Sequence, residues 1–116
     1  MASRIIKFYK QYFNEFWSSQ NSRVKKKIAQ TLVWLQEVDR LPVSILRSIE
    51  GVKGLFEIRL EVGRNIFRIF CCFDKGNIVV LFNAFQKKTQ KTPQNEIAKA
   101  AKLMNEYFDT KKDENK

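Results

Sequence analysis

Charged side chains inside two apolar segments are the residues best suited to chemistry. In the first segment, Glu57 and Arg59 alternate with apolar residues across positions 56–62, as in a strand with one buried face. In the second segment, Arg68 interrupts the apolar stretch Ile66–Phe73. Guanidinium groups stay charged and bind phosphate oxygens through two parallel hydrogen bonds. This pattern therefore indicates chemistry on a phosphodiester.

Hydrophobic matching predicts how the two segments pair. A two-residue turn at positions 63–64 pairs Val62 with Asn65, and every pair on one sheet face is then apolar. In this register Arg59 lies directly opposite Arg68, with Cβ atoms about 4.5–5.5 Å apart. Two cations at that separation destabilise a sheet unless an anion or a carboxylate lies between them.

A third strand and a basic loop complete the candidate site. We predict a central strand over Ile78–Phe85, and pairing of Phe73 with Ile78 would place Asn83 beside Arg68. The loop after this strand leaves the sheet at the same end. It carries Lys87, Lys88 and Lys91.

Cleavage of RNA requires a base for the 2′-hydroxyl, stabilisation of the phosphorane charge and protonation of the leaving oxygen. We expect Arg59 and Arg68 to stabilise the charge. The base is left open between Glu57 and a lysine whose pKa is lowered by neighbouring cations, either Lys87 or Lys88. An equally supported role for Glu57 is a salt bridge that relieves the repulsion between the arginines. Residues expected to contact RNA are Lys53, Asn83, Phe85 and Lys91, with Phe85 stacking on an unpaired base.

The remaining sequence predicts the elements that position these residues. They are a strand at 4–9, a helical turn at 12–17, a helix from 21 or 22 to 39, a further helical turn at 43–49 and a C-terminal helix after Thr92 and Pro93. We therefore predict an α+β fold. Its small antiparallel sheet, an N-terminal strand plus a three-strand meander, packs with N-terminal helices and a C-terminal helix. Residues 1–110 form one domain, and 111–116 form a charged, disordered tail.

The composition of the chain indicates which kind of partner the protein binds and in which compartment it acts. With 22 Lys and Arg against 12 Asp and Glu, the net charge is +10, which indicates a polyanionic partner: nucleic acid, an acidic protein or an anionic membrane surface. Nucleic acid is favoured over a basic surface that has no function. No apolar stretch is long enough to cross a bilayer, and the N-terminus lacks the apolar region of a secretion signal, so we expect a cytoplasmic protein with no membrane partner. The chain has no histidine, and its cysteines, Cys71 and Cys72, are adjacent. We therefore predict no metal site, no disulfide and no small-molecule cofactor.

Three strings of residues resemble the RelE/ParE toxin superfamily, and most of all its phage-derived HigB-like branch. They are Leu55–Leu60, Phe67–Phe70 and Phe85–Pro93, the last reading Phe-Gln-Lys-Lys-Thr-Gln-Lys-Thr-Pro. The resemblance implies a RelE-like fold and the toxin of a type II toxin-antitoxin system. It also implies a ribosome-dependent endoribonuclease that cuts messenger RNA, and a cognate antitoxin as partner.

The resemblance also assigns roles by position. Arg68 matches the arginine that contacts the scissile phosphate, Arg59 a basic residue of the preceding strand, and Lys87 or Lys88 the basic residue that ends the last strand. Glu57 departs from the pattern, since RelE has a lysine there. The tyrosine that RelE carries after its last strand also has no counterpart here.

Two other functions remain open from the sequence. ParE-like members of the same superfamily inhibit DNA gyrase without acting as nucleases, and fold alone does not separate the two classes. A non-catalytic RNA-binding domain would also use the basic surface, with steep salt dependence and no cleavage.

Overall fold

A computed structural model of the protein describes residues 3–88 and 93–114. Within these ranges, five strands form one sheet in the order β1-β5-β4-β3-β2, and three helices pack on it. The elements are β1 (Ile5–Phe8), α1 (Tyr12–Ser18), α2 (Ser22–Glu37), β2 (Leu46–Ser48), β3 (Phe56–Val62), β4 (Asn65–Asp74), β5 (Ile78–Lys87) and α3 (Gln94–Glu114). The α+β class and the three-strand meander are confirmed.

The pairing of β3 with β4 is the predicted one at every position. Val62 pairs with Asn65, and Arg59 pairs with Arg68. Gly63 supports the turn between the strands by adopting a φ of +62°, a conformation that L side chains rarely take. A slip of one residue would exchange the two faces of β4, so the buried apolar set fixes this register.

Two features of the sheet differ from the prediction. The N-terminal strand β1 pairs parallel with β5, so the sheet is mixed instead of wholly antiparallel. The predicted helical turn at 43–49 is wrong, because Leu46–Ser48 forms the edge strand β2. Hydrogen bonds from the Ile45 and Leu46 amides to the Pro42 carbonyl turn the chain, which then occupies the free edge of β3.

The pairing of β4 with β5 contains an irregularity that the sequence did not reveal. The register shifts between Ile69 and Cys71, and Arg68 consequently lies opposite Phe85. The predicted pairing of Phe73 with Ile78 is also wrong by one residue, because Asp74 pairs with Ile78 and Phe73 pairs with Val79. Together the two shifts place Arg68 two residues away from Asn83, so the prediction that Asn83 lies beside Arg68 is wrong. A bulge of this kind places one extra residue in one strand and re-aims the side chains that follow it.

Apolar residues fill both faces of the sheet. One core lies under α1 and α2 and includes Ile28, Leu35 and Ile69, while the other lies under α3 and includes Phe70 and Phe82. The two free cysteines are buried in opposite cores, as neighbours in a strand must be. In the described parts of the chain, every helix is too short or too polar to cross a bilayer.

The C-terminal helix α3 packs on β5 and β4 and continues to Glu114, past the domain boundary predicted at residue 110. Its last turns are held by a long-range contact. Asp74 at the end of β4 accepts hydrogen bonds from the Tyr107 hydroxyl at 2.7 Å and from the Lys111 ammonium at 2.5 Å. The side chains of residues 113 and 114 lie outside the description.

We predict that Ile69→Ala destabilises the protein by about 2–5 kcal/mol, because it removes a wholly buried side chain and leaves a cavity in the sheet. Urea unfolding followed by circular dichroism measures this loss. The matched control is Val33→Ala on the exposed side of α2, where we expect a change within about 0.5 kcal/mol. Equal effects at the two positions would contradict the core described above.

Candidate active site

A hollow of about 270 Å³ opens on the sheet face that α3 covers elsewhere. We call it the arginine hollow. Its lining residues are Val43, Ser44, Arg47, Glu57, Arg59 and Arg68. Three strands supply its charged side chains, since Arg47 lies on β2, Glu57 and Arg59 on β3, and Arg68 on β4. The structure therefore brings both predicted arginines and the predicted carboxylate together.

Arg68 is the most unusual group in the hollow. It is only 4% exposed, and its Nε and Nη1 atoms are buried without a hydrogen-bond partner. Its Nε lies 3.6 Å from Glu57 Oε1, close enough for an ion pair. Burial lowers the pKa of Arg68 from its usual value, and the neighbouring Glu57 opposes this shift. A buried cation with unpaired N–H groups is costly, and its positive charge favours an anion in the hollow that Arg68 lines.

Glu57 is buried, at 1% exposed, and is held by two arginines. Its Oε1 accepts a hydrogen bond from Arg47 Nη2 at 2.5 Å and faces Arg68 Nε, whereas its Oε2 is buried without a partner. The salt-bridge role expected as one alternative is thus present.

Arg59 is paired with Glu61, whereas Arg68 is paired with Glu57, and both pairs reduce the repulsion between the two arginines. The Nη2 of Arg59 donates to Glu61 Oε1 at 2.6 Å, on the more exposed side of β3. Its backbone amide donates to the Ile45 carbonyl at 2.7 Å, which fixes the strand against the segment before β2. Arg59 therefore lines the arginine hollow from its rim, and Arg68 lines it from within.

The three lysines predicted for the site, at the end of β5 and beyond it, differ in their surroundings. Lys87 ends β5 opposite Ile66 and is half-buried; burial lowers its pKa, and the nearby charge of Arg68 lowers it further. Lys88 is exposed just beyond the strand. Lys91 lies outside the described residues. Lys87 is therefore the predicted lysine that the described structure places in the electrostatic field of the hollow.

Three residues predicted to contact RNA lie elsewhere. Asn83 is buried, and its Nδ2 donates to the Glu96 carbonyl at 3.2 Å and to Glu96 Oε1 at 3.1 Å, so it secures α3. The ring of Phe85 stacks on Phe70 with centroids 5.7 Å apart and belongs to the α3 core. Lys53 is exposed in the turn before β3 and does not line the hollow.

Arg47 is a site residue that the sequence did not reveal. It pairs with Glu57 across β2 and β3, and more than half of its side chain is exposed. Its strand is only three residues long, which is too short for a recognisable alternation of apolar and polar residues. The turn-forming Pro42 is the one local signal that a new element begins nearby.

Comparison with known proteins places the chain in a family. A protein-family model described as "Phage derived protein Gp49-like (DUF891)" matches residues 15–105 of the 116. The chain belongs to this Gp49-like family. The matched range contains every residue of the arginine hollow, so the site lies within the part of the chain that defines membership. No curated protein matches the chain.

The chemistry open to this Gp49-like protein is that of an anion site. Arg47, Arg59 and Arg68 can converge on the oxygens of one phosphate, and Lys87 is a nearby amine with a lowered pKa. Among the described residues, no three His, Cys, Asp or Glu side chains gather in the way that metal ligands do. The functional groups at or near the hollow are guanidinium, ammonium, carboxylate and the hydroxyl of Ser44.

We predict that inorganic phosphate stabilises the protein by binding in the arginine hollow. At ten times its Kd, phosphate should add about 1.4 kcal/mol, or roughly 6 °C in Tm. Arg68→Met should abolish this increase because it removes the unpaired N–H groups and keeps an apolar side chain of similar length. Thermal unfolding across a phosphate titration measures the effect.

The control for this titration is Arg64→Met, which removes an equal charge from the exposed turn between β3 and β4. It should keep the full increase in Tm. If Arg64→Met and Arg68→Met respond alike, phosphate acts through the general surface of the protein and not through the hollow.

Proposed function

We propose that this protein is the toxin of a type II toxin-antitoxin system and acts as a ribosome-dependent endoribonuclease on messenger RNA. The observation that carries the proposal is the buried guanidinium of Arg68, which has unpaired N–H groups in an open hollow shared with Arg47 and Arg59. The Gp49-like family is associated with RelE-like toxins, and the RelE-like arrangement of sheet and helices supports the same function.

In the proposed reaction, the scissile phosphate enters the arginine hollow. Arg68 donates to a non-bridging oxygen and stabilises the charge that grows there, while Arg59 and Arg47 bind from the rim. The 2′-oxygen loses its proton to a base and attacks phosphorus, a P–O2′ bond forms, and the P–O5′ bond breaks. The departing 5′-oxygen takes a proton from solvent.

Lys87 is our proposed general base. A lysine accepts a proton only when it is neutral, and both burial and the charge of Arg68 lower its pKa and so raise its neutral fraction. Glu57 is then a positioning residue, because its Oε1 holds Arg47 and faces Arg68. Since the ribosome would orient the messenger, a modest set of groups is sufficient for cleavage.

The proposed partners follow from the charge of the protein. A net charge of +10 favours binding to RNA and to the ribosome. The same charge favours a cognate antitoxin with an acidic segment that lies over the hollow. Blocking the three arginines in this way would neutralise the toxin.

We predict that the protein cuts messenger RNA during translation in vitro, and that Arg68→Ala and Arg59→Ala each slow cleavage by about 100- to 1,000-fold, as expected for loss of a donor to the transition state. Primer extension on the recovered messenger locates and quantifies the cuts. Arg64→Ala is the matched control and should cleave normally. Arg59 lies at the rim, so its variant keeps the test valid if Arg68→Ala does not fold.

Two outcomes would contradict the nuclease function. If the message stays intact while DNA breaks accumulate with purified gyrase, the protein is a ParE-like inhibitor. If the protein binds RNA with steep salt dependence but never cuts it, a non-catalytic RNA-binding domain is the correct function.

We predict that cleavage accelerates about tenfold for each pH unit between pH 6.5 and 8.5. The neutral fraction of Lys87 rises at that rate while the pH is below its pKa, which lies below the usual 10.5. Lys87→Arg should remove this pH dependence because arginine stays charged. Lys88→Arg is the matched control and should keep the dependence. A rate that falls with rising pH would instead make Lys87 the proton donor.

A further inference from the structure

A second hollow, which we call the tryptophan groove, lies beside the arginine hollow. It has a volume of about 210 Å³ and lies between α2 and the sheet edge at β3. Trp34 of α2, Ile45 and Leu60 provide its apolar lining, and Lys27 and Thr31 add polar groups from the same helix. Ser44, Arg59 and Glu61 complete the lining, so the groove joins an aromatic surface to several polar groups.

Much of the Trp34 side chain lies outside the core. The residue is 41% exposed, whereas its neighbour Leu35 is wholly buried in the core. Trp34 thus presents aromatic surface to the groove and to solvent. Aromatic side chains at such positions are the platforms on which unpaired bases stack.

The two hollows adjoin each other. Ser44 and Arg59 line both of them, so a molecule bound in one can extend directly into the other. In a nucleic acid strand, each phosphate is joined through one sugar to a flat, uncharged base. The arginine hollow suits the phosphate, and the tryptophan groove suits the base of an adjoining nucleotide.

We propose that the tryptophan groove binds one unpaired nucleobase of the RNA, stacked on Trp34, next to the phosphate held by Arg68. The proposal rests on the proposed function, because it assumes that RNA is the ligand of the arginine hollow. It adds a base-binding site that places the strand along α2. The occupant must be single-stranded, since a base in a duplex cannot reach the indole ring.

An acidic peptide fits the groove less well than a base does. Lys27, Arg59 and Glu61 carry the charges of the groove lining, and Arg59 is already paired with Glu61, so a single lysine is left for an acidic group. A neutral planar base uses the exposed ring of Trp34, which an acidic side chain does not.

The experiment compares two ligands that cannot be cleaved, at one fixed salt concentration. One is a hexamer of 2′-O-methyl ribonucleotides, and the other is an abasic 2′-O-methyl sugar-phosphate hexamer of the same length. We expect Trp34→Ala in the full chain to weaken binding of the base-bearing hexamer about tenfold and to leave the abasic hexamer unchanged. Trp34→Phe should restore most of the affinity, because a ring is retained.

Two control variants separate stacking from other effects. Val33→Ala changes the exposed neighbour on α2 and should bind both hexamers as the unsubstituted protein does. Arg68→Met should weaken both hexamers, since each carries the same phosphates. A second readout is tryptophan fluorescence. The base-bearing hexamer should quench it in the unsubstituted protein, and Trp34→Phe, which retains Trp17, should lose that quenching.

The proposal is overturned if Trp34→Ala binds the base-bearing hexamer as tightly as the unsubstituted protein, or if it loses both hexamers equally. It is also overturned if Trp34→Ala keeps the hexamer but loses a polyglutamate peptide, which would assign the groove to a protein partner. Cleavage of messenger with no sensitivity to Trp34 would reject the base site and leave the nuclease function standing. Absence of messenger cleavage, with base-dependent binding retained, would reject only the nuclease.

Discussion

The ion pair between Arg68 and Glu57 is the interaction on which the site depends. Both groups are buried, and burial of charge is tolerated only when the charges are paired and their hydrogen bonds are satisfied. The pairing is incomplete, because Arg68 Nε and Nη1 and Glu57 Oε2 have no hydrogen-bond partner. The fold thus buries a guanidinium group that has unpaired N–H donors. The stability of the surrounding sheet offsets the free-energy cost of burying it.

The sheet determines how much charge surrounds this pair. The register of β3 and β4 sets Arg59 opposite Arg68, and β2 adds Arg47 opposite Glu57. Three guanidinium groups and the carboxylates of Glu57 and Glu61 therefore meet around the hollow, which leaves one positive charge. A phosphodiester carries one negative charge and would balance it. These five charged groups alone therefore suit a phosphodiester, and a positive charge on Lys87 is not needed for the balance.

The part of the site that could be predicted from sequence is the part set by local periodicity. Strict alternation in β3 and the polar break at Arg68 fixed one register, and this placed Arg59, Arg68 and Glu57 correctly. Arg47 was missed because its three-residue strand exists only to occupy the edge of β3, which is a tertiary effect. Asn83 was misplaced because the turn pairs Asp74 and not Phe73 with Ile78, and because the bulge near Ile69 has no local signature. The extension of α3 depends on Asp74, which is distant in sequence.

The most direct test of the central claim observes the Arg68 side chain itself. In ¹⁵N-labelled protein, the Nε–H signal of Arg68 can be assigned by its disappearance in Arg68→Lys and followed as an uncleavable 2′-O-methyl dinucleotide is added. We expect this signal to shift downfield and to exchange more slowly with water, because the guanidinium gains a phosphate oxygen as acceptor. An Arg68 signal that stays unchanged while the dinucleotide binds would show that Arg68 does not bind the phosphate.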